Sequence, residues 1–500
     1  MEKWDVVVVG AGPGGSYAAK TAAEAGLRTV FFERGRKPGE KNSSGCGLGQ
    51  RWWRDFPEVM EAVTRMPSYR KVEMVVINMV DEDLRLRFRC GTNGSDLCAG
   101  RFPNRKGMEG ASVYRMDLDP YLAELAVKAG AELRTSTLVT DVIMENGQVK
   151  GVRTERGEPV YAEVVIAADG AMSTMARRSG MRNRWGGGCT NVLQLDYACD
   201  EEMMDDVIGD AEWCWFGGAV GYQVNFRSSF HISVGGGWLD RDLKGYRRHD
   251  DLKSLIDVPA FQAMCRAVKA RPREFQAHLL PWLKRPVKSY TGGMMLVGDA
   301  AGFPCPLEAE GVWHACYSGK IAAETAAWAI SRGDVSENAL SEYEKRWKAS
   351  FLGKEHEFGE EFVDIWEGAI MNREKALEQL QLMLEFTMLQ PFSIVFDWAD
   401  AHMDCFNHHL RHFLELAPQF SDFGRTYLAP LARGVWPSNV KRILLMLKPR
   451  IPVLRNLSDR NYFRVMARLF GQLAPFLDPT AEQDAPLPRG SLEKRGGERR

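Results

Sequence analysis

The run Val6-Val7-Val8-Val9 breaks into Gly10-Ala11-Gly12-Pro13-Gly14-Gly15 and then into the alanine-rich stretch Ser16 to Ala25, and no other feature constrains the chain as strongly. An apolar run, a glycine-rich turn and a helix-forming stretch predict strand, tight turn and helix, the opening of a doubly wound α/β unit. Gly10 permits the turn, Gly12 lets backbone amides approach an anion, and Gly15 lets the helix lie close to the strand. The helix N-terminus then offers unpaired N–H groups to a pyrophosphate. A second apolar run, Thr29-Val30-Phe31-Phe32, ends on Glu33, 18 residues after Gly15, where a carboxylate can accept from ribose hydroxyls. Strand before, helix after and acid at that distance together predict a dinucleotide site, which a lone glycine-rich turn would not.

Five hundred residues exceed what one core holds, so two or three domains are expected. The 65 basic and 66 acidic residues give a net charge of -1, which leaves no overall field to attract nucleic acid; any electrostatic site must be local. The ten cysteines are scattered without a Cys-x-x-Cys pair. Neither a zinc knuckle nor a cysteine-ligated iron–sulfur cluster is expected, no metal site is assigned, and reduced thiols suit a cytoplasmic protein. The first strand begins within a few residues of Met1 and no apolar run approaches a membrane span, so neither a signal peptide nor a spanning helix is expected.

Along the chain the alternation of Val72, Val75, Ile77, Leu84, Leu86 and Phe88 predicts a hairpin outside the nucleotide domain. A helix is expected over Asp117 to Ala129, ended by Gly130, then a hairpin around Asn146-Gly147 and a buried strand Val164 to Ala168 that runs into Asp169-Gly170. Cys189 to Trp238 is strand-rich and aromatic. Met294 to Val297 then leads into Gly298-Asp299, and a long helix is expected over Glu310 to Ser331. The boundaries that follow are 1–70, 100–185 and 286–332 for a nucleotide-binding domain, 71–99 and 186–285 for an inserted β-sheet domain that binds substrate, 333–477 for a helical C-terminal region, and 478–500 for a disordered tail.

Gly-x-Gly-x-x-Gly, then Ala168-Asp169-Gly170, then Gly298-Asp299 before a helix resembles the FAD-binding flavoproteins of the aromatic-hydroxylase type. The resemblance implies an α/β fold with a Rossmann-like FAD domain, and an aspartate in the third motif that accepts from flavin ribitol or ribose hydroxyls. The segments Gly12-Pro13-Gly14-Gly15-Ser16, Glu33-Arg34-Gly35, Lys41 to Gly47, Arg115-x-Asp117 and Glu310 to Ala315 with Ser318 to Glu324 resemble the geranylgeranyl reductase family and the related electron-transfer-flavoprotein:quinone oxidoreductases. That resemblance covers about residues 4–330. It implies FAD held by Gly10, Gly12, Pro13, Gly14, Gly15, Glu33, Arg34, Cys46, Gly47, Arg115, Asp169, Gly170, Gly298, Asp299, Gly311 and Val312. The Tyr-x-Trp-x-Phe-Pro strand of those reductases is matched only loosely by Trp213-Cys214-Trp215-Phe216-Gly217-Gly218, with the Phe one place early and the Pro replaced.

The expected activity is reduction of carbon–carbon double bonds in an isoprenoid or other lipophilic substrate. Its rivals are a quinone-linked dehydrogenase working with a separate ferredoxin-like subunit, and a flavin monooxygenase or halogenase. Cys46, in a loop that the resemblance places over the flavin, and Glu310, at the start of the flavin-facing helix, are the catalytic candidates, with Glu308 beside the latter. Trp213, Trp215, Phe216 and Tyr222 either line an apolar tunnel for a polyprenyl or quinone tail or fill a sheet core. The chain has no second Gly-x-Gly-x-x-Gly unit, so electrons are expected from transiently docked NAD(P)H, a ferredoxin or another flavoprotein. His402, His408, His409 and His412 read as a solvated helix face. Arg433 to Arg468 carries nine basic residues against Asp459 alone, interleaved with apolar ones, as a segment lying on an anionic membrane inner face, docking on an acidic partner or packing its apolar face on the same protein's core would.

Overall fold

The computed structural model describes residues 2–40, 47–49, 51–72, 74–79, 84–89, 110–185, 188–217, 219–234, 248–306, 309–357, 363, 441, 444–445, 448 and 457–473. The chain forms two compact units, residues 1–93 with 102–387, and residues 94–101 with 388–500.

In the first unit the apolar runs become the inner strands of an eight-stranded sheet. Glu2–Val9 lies between Thr29–Phe32 and Pro159–Ala167, parallel to both, and Met294–Leu296 joins the far side of Pro159–Ala167, also parallel. Glu132–Arg134 extends the other edge. Val6 to Val9, Val30 to Phe32, Val164 to Ala167 and Met294 to Leu296 are all buried, because helices cover a parallel sheet and leave its strands no wet face. Val139–Glu145 and Gln148–Thr154 form the expected hairpin, with Asn146 (φ 49°) and Gly147 (φ 76°) both left-handed, as a two-residue primed turn requires. Helix Pro13–Glu24 packs against Arg115–Lys128 and Val312–Ser331. The last crossing is close: a Cβ at Gly319 would stand 2.3 Å from the Gly14 carbonyl oxygen.

The two remaining strand-rich stretches pair into one seven-stranded sheet, in the order Arg271–Pro281, Cys189–Ala198, Ser229–Val234, Ala219–Asn225, Ala211–Gly217, Met74–Met79 and Leu84–Arg89. Side chains alternate across it. One face carries Trp213, Trp215, Phe230 and Ile232 and is covered by the helices Arg248–Ile256 and Pro259–Ala267 through Leu252, Leu255, Phe261 and Met264. The paired residues Asp196 and His231, Gln194 and Ser233, and Tyr222 lie on the other face. Gly47–Leu48, Gly110–Ser112 and Arg70–Val72 make a small third sheet.

After Gly333 the helices Glu337–Ala349 and Phe351–Glu357 still belong to the first unit. Tyr343 donates to the Leu296 carbonyl and Trp347 to Ser289, which fastens the first of them to the edge of the eight-stranded sheet. In the second unit the helix Asp459–Leu473 packs Tyr462 and Met466 with Leu444, Tyr462 donates to the Leu444 carbonyl, and Lys448 pairs with Asp459. Most of 333–477, all of 478–500 and the four histidines of 402–412 lie outside the described residues.

Candidate active site

The glycines of the first turn divide into two kinds. Gly10 sits at φ 101°, and a Cβ there would stand 2.4 Å from the Ala168 carbonyl oxygen; at Gly15 it would stand 1.8 Å from that of Gly10. Both serve the packing of the turn itself. Gly12 is different, since its added Cβ would meet nothing nearer than Arg115 Nη2 at 3.8 Å. It begins the helix Pro13–Glu24 with no side-chain cap, and the space before it lies beside a guanidinium. That space is a cradle for an anion, with the helix dipole and the Arg115 charge both of the right sign. Pro13, which has no N–H to satisfy, occupies the first helical position, and Gly14 backs onto the Ala315 carbonyl.

Around the cradle the acidic residues are anchored. Glu33 accepts from the Ala11 and Gly35 amides at 3.2 and 2.7 Å, which fixes its carboxylate against the glycine turn. Arg34 beside it is exposed. Arg115 pairs with Asp119 one turn along its helix; burial raises the Asp119 pKa and the guanidinium works against that rise.

On the far side, Gly298-Asp299 forms a tight turn directly after Met294–Leu296, with Asp299 Oδ2 3.7 Å from His278 Nε2 and Oδ1 facing Gly311. Arg182 reaches that turn, donating from Nη2 to the Ala300 carbonyl and lying 3.5 Å over the Trp185 ring. Its Nη1 is buried without a hydrogen-bond partner, and burial lowers its pKa to about 10. An orphaned cationic N–H is costly unless a ligand satisfies it. The open cap at Gly12 and this orphaned donor fit a long, polar, anionic cofactor such as FAD.

Asp169 is engaged differently. Its carboxylate accepts from Ser173 Oγ at 2.6 Å and the Met175 amide at 3.0 Å, holding the short helix Thr174–Arg178, while burial raises its pKa. Gly170 follows at φ 80°. Glu310 is likewise occupied: Oε1 accepts from the Trp313 amide and Oε2 meets His314 Nδ1, each at 2.8 Å. Gly311 and Val312 open the long helix without a side-chain cap from Gly311. His314 is a residue that sequence reasoning passed over. Its Nε2 meets Glu355 at 2.6 Å, and although burial alone would remove its proton, Glu355 and Glu310 hold the pKa well above the ordinary range. The spacing of Glu310 and His314, i and i+4 across the start of the helix, was the available signal. Cys46 and Glu308 lie outside the described residues, whereas Gly47 pairs with Ser112.

The structure separates the aromatic candidates. Trp213 and Trp215 are buried against the covering helices, Trp215 edge-on to Phe261 at 5.4 Å and donating to Gln223. They are core on that side of the sheet. Tyr222 lies on the opposite face. Of Phe216 only the backbone, in Ala211–Gly217, is described. That opposite face holds a polar group: Arg273, at a bulge in its strand, reaches Asp196 at 3.3 Å and Tyr114 Oη at 2.8 Å. Tyr114 stacks on Phe226 at 3.8 Å. His231 is fully buried 3.8 Å from Asp196 with neither ring nitrogen hydrogen-bonded, and burial lowers its pKa to about 3.

The glycine turn, the two aspartate turns and the inserted sheet define the class of FAD-dependent oxidoreductases with an aromatic-hydroxylase-type FAD domain. The FAD binding domain family matches residues 3–349. The digeranylgeranylglycerophospholipid reductase of Methanocella arvoryzae is 32% identical over 366 residues, 70% of this chain and 84% of that protein, and that of Methanothrix thermoacetophila is 32% identical over 360 residues with the same coverage. A geranylgeranyl bacteriochlorophyll reductase-like protein from Thermoplasma acidophilum superposes with a TM-score of 0.59 at 25% identity, covering 74% of this chain and 91% of its own. The chain belongs to the geranylgeranyl reductase family of FAD-binding flavoproteins. A probable FAD-dependent monooxygenase from Pseudomonas aeruginosa, at 17% identity, shares the fold with a TM-score of 0.57 over 76% of this chain and all of that one.

Proposed function

We propose that the protein saturates carbon–carbon double bonds in the isoprenoid chain of a lipid. The observation that carries this reading is the extent of the similarity to the archaeal reductases, which at 70% of the chain takes in more than a glycine motif. FAD, when bound, supplies the hydride for such a reduction. The residues that hold it are the open Gly12 cap and its neighbours Gly10, Pro13, Gly14 and Gly15, Glu33 for the ribose, Arg115 beside the cap, and Asp299 with Arg182 at the second turn. Asp169 and Gly170 shape the loop that carries Arg182. Glu310 acts by fixing the start of the long helix, since both its oxygens are engaged. On the polar face Arg273 and Tyr222 would meet the polar end of the lipid, with the buried Asp196 and His231 beneath them; Trp213 and Trp215 stiffen the sheet from its other side.

The test is anaerobic photoreduction of the purified flavoprotein followed by separate addition of a polyprenyl lipid, a quinone and oxygen. Reoxidation by the lipid, with a mass gain of two hydrogen atoms per double bond, is the expected result. Reoxidation by quinone alone would make the protein an electron-transfer dehydrogenase, and a stable oxygen adduct would make it a monooxygenase. The electron donor is NAD(P)H, a ferredoxin or a second flavoprotein, distinguished by which of them reduces the flavin in the dark. No helix among the described residues is long and apolar enough to cross a membrane. Access to a lipid would run through peripheral contact by the basic segment 433–468, whose nine Lys and Arg face a single acid in the sequence.

A further inference from the structure

We propose that Cys305, His314 and Glu355 bind a divalent transition-metal ion of the zinc class. The three come from three elements: the loop after the Gly298-Asp299 turn, the first turn of Val312–Ser331, and Phe351–Glu357. All three are buried, and their donor atoms lie within 4.8 Å of one another. Cys305 Sγ stands 3.8 Å from Glu355 Oε1 and His314 Nε2 stands 2.6 Å from Glu355 Oε2. Ligands about 2.0 Å (N, O) and about 2.3 Å (S) from a tetrahedral ion are separated by roughly 3.3–3.6 Å, so opening the His314–Glu355 contact by about 1 Å admits one.

Two further observations favour an ion. Glu310 on Nδ1 leaves Nε2 turned toward the other two ligands, which is how a carboxylate orients a metal-bound histidine from behind. The cysteine is preorganised: it sits between Pro304 and Pro306, its amide donates to the Glu310 carbonyl, its carbonyl accepts from the Ala309 amide, and Ala309 is held at φ 56°, a left-handed value that a non-glycine residue adopts under constraint. A sulfur, nitrogen and oxygen donor set selects zinc over magnesium or calcium. Binding displaces the Cys305 thiol proton and the proton held between His314 and the carboxylates, and both leave to solvent.

The experiment uses the FAD-loaded protein incubated with zinc chloride, freed of excess by gel filtration and analysed for metal by mass spectrometry, with zinc-edge X-ray absorption on the same sample. The expected result is about one zinc per chain with one sulfur neighbour near 2.3 Å. Cys305→Ser and Glu355→Gln should each weaken retention at least tenfold, and Glu310→Gln by about 10- to 100-fold through the histidine. FAD content and melting temperature report whether each variant folds, and the sulfur shell of the unmodified protein decides the matter if one does not. A folded, FAD-loaded protein that retains no zinc, or zinc without a sulfur neighbour, would overturn the site and leave an imidazolium clasped between two carboxylates.

Discussion

Two glycines three residues apart are asked to do different things, and alanine separates them. At Gly15 a methyl group meets backbone, so Gly15→Ala should destabilise the fold by about 1–3 kcal/mol or more, as overpacking does, in the presence or absence of cofactor. Gly12 has φ -70° and open space before it, so Gly12→Ala should leave the melting of the cofactor-free protein within about 0.5 kcal/mol of the original while weakening FAD retention. Equal effects of both changes on the cofactor-free protein would show that Gly12 is packed as Gly15 is. Asp299→Ala, which removes a charged acceptor, should weaken FAD by about 1–3 kcal/mol in a fluorescence titration. His231 carries a pH dependence. Its folded pKa, about 3, lies below the ordinary 6.5, so the unfolded chain binds the extra proton; its contribution is whole above pH 6.5 and is lost as pH falls toward 3. The slope approaches about 1.4 kcal/mol per pH unit. Asp196, which burial raises, contributes with the opposite sign, and Arg273 stays charged beside it. Urea midpoints of His231→Leu should therefore fall less between pH 7 and pH 4 than those of the original chain.

At the scale of elements, the crossing of Pro13–Glu24 with Val312–Ser331 depends on the absence of a side chain at Gly319, where a Cβ would press on backbone rather than on a flexible tip. Gly319→Ala should cost about 1–3 kcal/mol in thermal melting and release FAD as well, because Gly14 opposite belongs to the cofactor turn. The glycine turn and the Gly298-Asp299 turn were legible in the sequence because their pattern is local: Gly10 to Gly15 and Gly298-Asp299 are contiguous, and each follows a buried apolar strand. Trp213 and Trp215 were not assignable, since two aromatics at i and i+2 look the same whether their face meets a ligand or a helix. Only the packing of Phe261 decided it. Cys305, His314 and Glu355 are 9 and 41 residues apart in sequence, and nothing in either interval marks them as neighbours. The polar face was hidden for a related reason: Asp196, His231 and Arg273 meet only after three strands have paired in register.

For the molecule as a whole, cofactor and fold should be thermodynamically linked. FAD held without a covalent bond should leave with acid or denaturant as a yellow small molecule, and adding it back should raise the melting temperature with the logarithm of its concentration; colour that stays with the denatured polypeptide would exclude non-covalent binding. The basic segment 433–468 makes a separate prediction. Sedimentation with anionic but not neutral vesicles, lost at high salt or when Lys441, Arg442, Lys448 and Arg450 become Gln, is expected if it lies on a membrane, each charge contributing on the order of 1 kcal/mol. Absence of sedimentation with any lipid would point to a protein partner for this surface.

Tyr114 and Arg115 are consecutive, yet the first is bonded to Ser229 and Arg273 of the inserted sheet while the second stands against Gly12 of the cofactor turn. One peptide unit thus joins the two surfaces proposed above for lipid and cofactor, as a lever joins two loads. Any coupling carried by this unit has one free energy, so that substrate changes the affinity for FAD by the factor by which FAD changes the affinity for substrate. In Tyr114→Phe, which loses the hydroxyl but keeps the ring on Phe226, the FAD affinity measured by fluorescence titration should no longer differ with and without substrate.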